Sequence, residues 1–365
     1  LVARGHRVRV FTGAPEPGEG SLEGELVAAG VDVVRVPGLR RGLSAVATGA
    51  DARASRFLRR ALAAFGPDVV HTHASKAGAI GRRAARASAP AAGCVHTFHG
   101  HVLEGYFPAP VSYALRRIEA RLARTTDRIL AVSSATRDDL ARLGVAAAER
   151  IEVVRPGIRL DGLLALPEER PGAPLRRELG VPRDALIVGV VGRLAPVKRT
   201  ELALDVFADV AREFPDAHLV VCGDGSERAA LEARRDALAG GIAARVHLIG
   251  ARDDVLSVHE ALDVLLGTSF AEGMPVAMIE AAAAARPVVS TAVGGVPELV
   301  RNGVTGLLAA DRDGLAAALA SLAGDADMRA EFGRSARVHA RGAHTAEALA
   351  DRLEDVYARM VGSRA

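Results

Sequence analysis

The sequence predicts an α/β protein of two domains, each built on a parallel sheet. Three observations carry that prediction. The chain has 365 residues, long for one domain and ordinary for two. Short apolar runs alternate with helix-like segments, the pattern of parallel strands joined by crossover helices. Between Asp263 and Val300, two helix starts follow strand ends and glycines. Unspent N–H groups and the positive end of the helix dipole make such places receptive to phosphate.

Composition narrows the class. The chain is 49% hydrophobic and 25% charged, with no apolar run long enough to span a bilayer. Cys94 and Cys222 each end a strand-like run, which predicts buried thiols and a reducing, cytoplasmic setting. Of 47 basic residues only Lys76 and Lys198 are lysine. A lysine kept in an arginine background points to a site that takes a compact ammonium rather than a planar fork. Residues 1–150 hold 22 basic and 13 acidic side chains, the remainder 25 and 31. A basic first half fits an anionic partner, such as a membrane surface or a lipid-phosphate acceptor, or else a scatter of solubility charges.

In chain order, LVARG reads as the last turn of a helix capped by Gly5, followed by a strand. Strands are predicted at 7–11, 32–36, 68–72, 94–97, 128–132 and 152–154. Helices are predicted at 52–65, 76–88, 111–125 and 135–143. The loop 12–20, with three glycines and two prolines, is expected to form a mobile lip. His71 and His96 sit within strand runs, as core histidines do. His99 and His101 lie past a strand end beside Gly100, where backbone can approach a ligand. With no cysteine among them and no H-E-x-x-H spacing, a metal site is not expected. The segment 156–182 is turn-rich and reads as a linker between domains at 1–155 and 183–344, with a last helix in 345–365.

The second domain opens with an apolar strand at 186–191, then Gly192, Arg193 and Lys198 ahead of a helix. Glycine after a buried strand with two cations suits a diphosphate. A strand at 218–221 leads to Gly223-Asp224-Gly225-Ser226, which lacks the third glycine of a dinucleotide fingerprint, so Ser226 is expected to cap a helix. Further strands are predicted at 245–249, 264–266 and 287–290, with a turn and short strand over 303–308. Helices are predicted at 315–322, 327–340 and 345–360. Asp311 and Asp325 open D-x-D strings at helix starts, where aspartate caps. Pro275 suits the first turn of a helix that runs to Arg286-Pro287. Glu272 precedes that helix and Glu280 lies within it. One acid could hold hydroxyls on each side of a bound diphosphate, a shape matched by a nucleotide sugar. Taken alone, Glu272 could equally complement the dipole and Glu280 lie in solvent.

The string EGMPVAMIEAAAAARPVVS…GGVPE resembles the EGFGLVxLEAMACGxPVVA…GGxPE pattern of the retaining glycosyltransferases of family 4, which have the GT-B fold. GRLAPVK resembles that family's GRLxxxK, and HTHASKAG and HTFHG resemble its histidine stretches. Arg155-Pro156-Gly157-Ile158 matches its PNGVD hinge loosely, and Met274-Pro275 replaces its usual Phe-Gly. The resemblance implies two Rossmann-like domains facing a cleft, with the last helix crossing back to the first. It also implies that a first strand and Gly-rich loop precede Leu1 in relatives, so the first domain is expected to lack them.

Site residues follow from the same resemblance. Arg193 and Lys198 would neutralise the leaving diphosphate without a metal. His99 would face the donor sugar across the cleft, Glu272 would hold sugar hydroxyls and Glu280 the ribose. Gly192, Gly273, Met274, Val276, Ala277, Gly294 and Gly295 would line the diphosphate, with the base received on backbone near Ile249. His73, Lys76 and His101 would lie on the acceptor side. The expected activity is retaining, metal- and cofactor-independent transfer of a hexosyl unit, with UDP favoured over GDP, as in polysaccharide or glycolipid synthesis. The acceptor would be a glycan, a lipid-linked or a small molecule, the location cytoplasmic with peripheral membrane contact, and nucleic acid no partner. Alternatives are a retaining glycosidase using Glu272 and Glu280, a nucleotide-sugar epimerase, or an inactive sugar-nucleotide-binding protein.

Overall fold

The computed structural model describes residues 1–15, 20–40, 48–168 and 173–362. Part of the expected lip at 12–20 and part of the expected linker therefore lie outside the described residues. The chain divides into two compact units, Leu1–Val154 with Ala350–Ala365, and Arg155–Leu349.

The first unit is α/β with parallel strands throughout. β1 (Arg9–Thr12) pairs with β2 (Asp32–Arg35). A four-stranded sheet runs in the order β3 (Val69–His73), β4 (Gly93–Phe98), β5 (Arg128–Ala131) and β6 (Ile151–Val153). β4 is buried along its whole length, as an inner parallel strand covered on both faces must be. Leu58 and Leu62 of the helix Thr48–Phe65 meet Ile80 and Ala84 of the helix Ser75–Ser88 in one core. Phe98, Ile129, Leu140 and Ile151 form another. Gly5 adopts φ 86 and ends a short 3-10 turn, Val2–Arg4, rather than a turn of α-helix. The last helix, Ala346–Val361, contributes Tyr357, whose Oη lies 2.7 Å from His71 Nδ1, and Arg359, which pairs with Glu152 at 2.8 Å. Both cysteines are buried thiols.

The second unit carries a six-stranded parallel sheet of β7 (Ile187–Val191), β8 (His218–Cys222), β9 (Val246–Gly250), β10 (Val264–Gly267), β11 (Val288–Thr291) and β12 (Gly306–Ala309). Their order is β12-β11-β10-β7-β8-β9. The chain thus starts in the middle, builds outward through β9, then returns to β7 and builds the other way. Where such a sheet reverses, the loops beyond adjacent strand ends part and leave a crevice. Here that point lies between β7 and β10. Leu204 and Phe207 of the helix Thr200–Val210 and Leu315 and Leu319 of the helix Arg312–Gly324 are completely buried in this unit's core.

Several local expectations are corrected. The supposed linker packs into the second unit, because Leu160, Leu163 and Leu175 bury their side chains there. Pro275 occupies the N-cap and not the first turn of the helix Val276–Ala283. That helix stops before Arg286: Ala285 takes φ 55, Arg286 N bonds Ala281 O, and Ala285 N bonds Ala282 O, which is a Schellman ending. Ser226 does not cap its helix, whose N-cap is Glu227 without a side-chain bond. The aspartate caps do form, Asp311 accepting from Gly314 N and Asp325 from Met328 N.

A buried ion pair clamps the amino ends of β7 and β10. Asp263 Oδ2 accepts from Arg176 Nη2 at 2.6 Å and from Ile187 N at 2.7 Å, with the Arg176 side chain only 3% exposed. Arg176→Ala leaves that carboxylate buried without its cation and is expected to cost about 3–5 kcal/mol. The urea-unfolding midpoint should fall accordingly, and an unchanged midpoint would refute the clamp.

Candidate functional site

Loops from three neighbouring strands meet beyond the carboxyl end of the second sheet. After β7 the chain forms a turn, Pro196–Lys198, followed by Arg199 at φ 49, a strained value for a side-chain-bearing residue. The Thr268 hydroxyl, just past β10, lies 2.9 Å from both Lys198 O and Arg199 O, and Phe270 N donates to Val197 O. These bonds hold the strained turn and aim Lys198 at the next loop. Its Nζ donates to Glu272 Oε1 at 2.6 Å, and Ser269 Oγ donates to the same oxygen at 2.6 Å. Glu272 Oε2 has no partner among the described residues, and the side chain is 11% exposed. One oxygen is fixed and the other remains open.

The loop after β11 fixes the backbone of Glu272. Gly295 N donates to Glu272 O at 3.2 Å, and Thr291 Oγ1 donates to Ser269 O at 2.6 Å. Gly294 sits at φ 51, and a Cβ there would lie 1.8 Å from Glu272 O, so only glycine permits the contact. The second helix start is more fully bonded than the first. Gly295 N, Val296 N and Glu298 N are all bonded internally, and the helix Val296–Leu299 is a single turn. Gly295 thus spends its amide on positioning Glu272, whereas Gly294 N has no acceptor among the described residues. The first start is open: Met278 N and Ile279 N return to Pro275 O, while Val276 and Ala277 carry no internal amide bond among the described residues. Beside them Gly273 is partly buried and the Met274 side chain is buried.

Arg193 is exposed and has no side-chain partner among the described residues. It follows Gly192, whose φ is 146 and whose carbonyl oxygen would lie 1.9 Å from a Cβ at Gly223. Glu280 is anchored like Glu272, with Oε2 lying 3.3 Å from Nε2 of the wholly buried His259. Ile249 is skipped in the β8–β9 register, where Val221 pairs with Leu248 and Cys222 with Gly250. A bulge of this kind frees backbone groups from the ladder.

The first unit gathers histidines where β3 and β4 end. His71 bridges Tyr357 Oη and Thr97 Oγ1, each at 2.7 Å. His73 Nδ1 lies 2.9 Å from His99 Nε2. Burial, then the neighbouring His73 and His99, lowers His71 to about 3, and burial followed by His99 lowers His73 to about 4. Burial, above its neighbours Arg82, His73 and His71, holds His96 at about 2, and its Nδ1 lies 2.9 Å from Thr72 Oγ1. Burial lowers His99 too. Lys76 pairs with Asp51 at 2.9 Å, and His101 lies 3.4 Å from Asp139.

Sequence reasoning singled out Lys198, Glu272 and Glu280 but missed Ser269, Thr268, Thr291 and His259. The S-x-x-E spacing of Ser269 and Glu272 was a usable local signal. Nothing local marks His259, 21 positions before its partner.

The histidines set a pH response. His71 and His96 bind protons less readily folded than unfolded, so stability is full above the unfolded value near 6.5. It declines as pH falls from there towards 3. At pH 5 the loss is expected to be roughly 2 kcal/mol for each. Thermal melts between pH 7.5 and 5 read it as a falling midpoint that His96→Gln makes shallower; identical slopes would contradict it.

Residues 173–339 match the model of the family Glycosyl transferases group 1, and residues 1–161 match Glycosyltransferase Family 4. A D-inositol 3-phosphate glycosyltransferase of Corynebacterium efficiens is 31% identical, over 98% of this chain and 87% of that protein. The Anabaena protein HepE, solved with UDP and glucose, superposes with a TM-score of 0.81 at 21% identity, covering 97% of this chain and 100% of that one. Sucrose-phosphate synthase of Thermosynechococcus elongatus also gives 0.81 at 21% identity, covering 99% and 91%. The fold is GT-B, and the chain belongs to family 4 of the glycosyltransferases.

Proposed function

We propose that this glycosyltransferase moves a hexosyl unit from UDP-sugar to a phosphate-bearing polyol or lipid acceptor, with retention of configuration and without a metal. The observation that carries the reading is the arrangement around the helix Val276–Ala283. Two amides of its first turn and the Arg193 guanidinium, all without partners among the described residues, and the Lys198 ammonium belong to the segments that follow β7 and β10. Charge growing on a departing diphosphate is what such fixed donors stabilise. Lys198 spends one of its three protons on Glu272 and keeps two for phosphate oxygens.

Glu272, with Oε2 open, would accept from sugar hydroxyls, and Glu280, held by His259, from the ribose. The C1–oxygen bond to the diphosphate breaks, and the acceptor oxygen bonds C1 on the same face. The acceptor's proton passes to the departing phosphate oxygen, so no protein nucleophile is required. UDP is favoured because HepE is described with UDP and glucose, and a phosphorylated acceptor because the relatives are named for D-inositol 3-phosphate. The basic balance of residues 1–150 supports the latter.

The test is a thermal-shift panel of UDP, GDP and ADP, paired with transfer from UDP-glucose to D-inositol 3-phosphate and to lipid phosphates, with and without chelator. UDP should stabilise most and chelator should leave the rate unchanged. NMR of the product should show the donor's anomeric configuration. Lys198→Ala should lower transfer well over tenfold. Chelator-sensitive transfer, an inverted product or near-normal turnover by Lys198→Ala would each overturn the corresponding part.

A further inference from the structure

His259 is a histidine that packing alone does not explain. It lies on the helix Val255–Ala261, between β9 and β10, with none of its surface exposed. Its Nδ1 is buried without a partner among the described residues, a cost that an apolar side chain in the same place would avoid. Its one side-chain hydrogen bond among the described residues goes to Glu280, 3.3 Å from Nε2. A carboxylate only accepts, so the proton sits on Nε2 and points at Oε2.

The backbone behind that contact is fixed from two sides. A helix end leaves its last carbonyls without intrahelical partners. Here Arg286 Nε donates to His259 O at 2.9 Å, Arg286 Nη2 to Glu260 O at 3.4 Å, and Arg176 Nε to Ala261 O at 3.0 Å. Both arginines are buried. Arg286 also closes the helix Val276–Ala283 that carries Glu280, its own N–H bonding Ala281 O. Glu280, His259 and Arg286 thus form a closed ring of contacts, and the carboxylate does not swing without breaking it. The Glu280 side chain is 19% exposed, and its Oε1 has no partner among the described residues. One oxygen is spent inward and the other is left for a ligand.

We propose that His259 is a positioning residue that makes the donor site select ribose over deoxyribose. By engaging Oε2 it holds Glu280 so that Oε1 takes one ribose hydroxyl. This selection rests on the assignment of Glu280 to the ribose, and it names what the donor must carry, a ribonucleoside diphosphate. The ribose takes no part in bond breaking, so the contact serves donor binding and not the chemical step.

Calorimetric titration with UDP, 2′-deoxy-UDP and 3′-deoxy-UDP tests this. UDP should bind the unaltered chain about tenfold tighter than at least one deoxy analogue. In His259→Leu that preference should fall below about twofold, whereas His259→Gln, which keeps an N–H donor, should retain most of it. For transfer from UDP-glucose, His259→Leu should raise the donor KM about tenfold and change kcat by less than about twofold. In a Glu280→Ala background the same change should add nothing. A readout on the unaltered chain guards against a disturbed fold: the His259 Nε2 proton resonance should move more with UDP than with the rejected analogue. A preference that survives His259→Leu, equal losses in His259→Leu and His259→Gln, or equal shifts of that resonance would overturn the proposal and leave Glu280 on the ribose. So would a kcat that falls at constant KM. No preference for UDP over either analogue would overturn the ribose assignment and the proposal together.

Discussion

A single carboxylate oxygen, Oε1 of Glu272, is the constraint on which the second unit's site depends. It receives Lys198 from the loop after β7 and Ser269 from the loop after β10, while the same residue's carbonyl receives Gly295 from the loop after β11. A carboxylate this enclosed is costly unless hydrogen bonds and a cation compensate it. Each of the three loops supplies part of that compensation, so none can drift without exposing the charge to an unfavourable surrounding. The strained Arg199 is tolerable for the same reason: Thr268 holds the two carbonyls of its turn. The site is therefore rigid before a ligand arrives, which is the condition for electrostatic stabilisation of a leaving group.

The sheet explains why the charges gather there. β7 and β10 are neighbours in space but separated in sequence by β8 and β9, so the loops that follow them diverge and leave room. The polar side chains occupy that room, whereas the opposite ends of the same strands are closed by Arg176 and Asp263. One end of the sheet is pinned by a satisfied ion pair. The other leaves one oxygen each of Glu272 and Glu280 without a partner among the described residues.

Local chemistry was legible in the sequence wherever it was periodic or contiguous. Alternating apolar runs gave twelve parallel strands in the described residues, with shifts at their ends, and the caps at Asp311 and Asp325 followed from residue type alone. Expectations failed where long-range packing overrides local preference. The segment near Leu160 and Leu175 has turn-like composition, yet Leu160, Leu163 and Leu175 are buried within the second unit. Gly295 looked like part of an anion-binding turn, yet its amide is claimed by a carbonyl 23 positions earlier. The glycosidase alternative fails similarly, since Glu272 is fixed by an ammonium and Glu280 by a histidine in a chain whose relatives are transferases.

The scarcity of lysine carried more information than a single site. Both lysines occupy confined ion pairs, Lys76 with Asp51 and Lys198 with Glu272. An arginine at 198 would present a planar fork, and a fork matches both oxygens of a carboxylate at once. It would then occupy Glu272 Oε2 as well as Oε1, closing the acceptor atom that the present geometry leaves open. An ammonium makes one short bond to Oε1 and leaves its other protons pointing elsewhere. The choice of lysine thus keeps two functions apart at one contact, a cation for the diphosphate and a carboxylate oxygen for a hydroxyl. Arg193 has no acidic partner among the described residues and needs no such separation, so a guanidinium serves there.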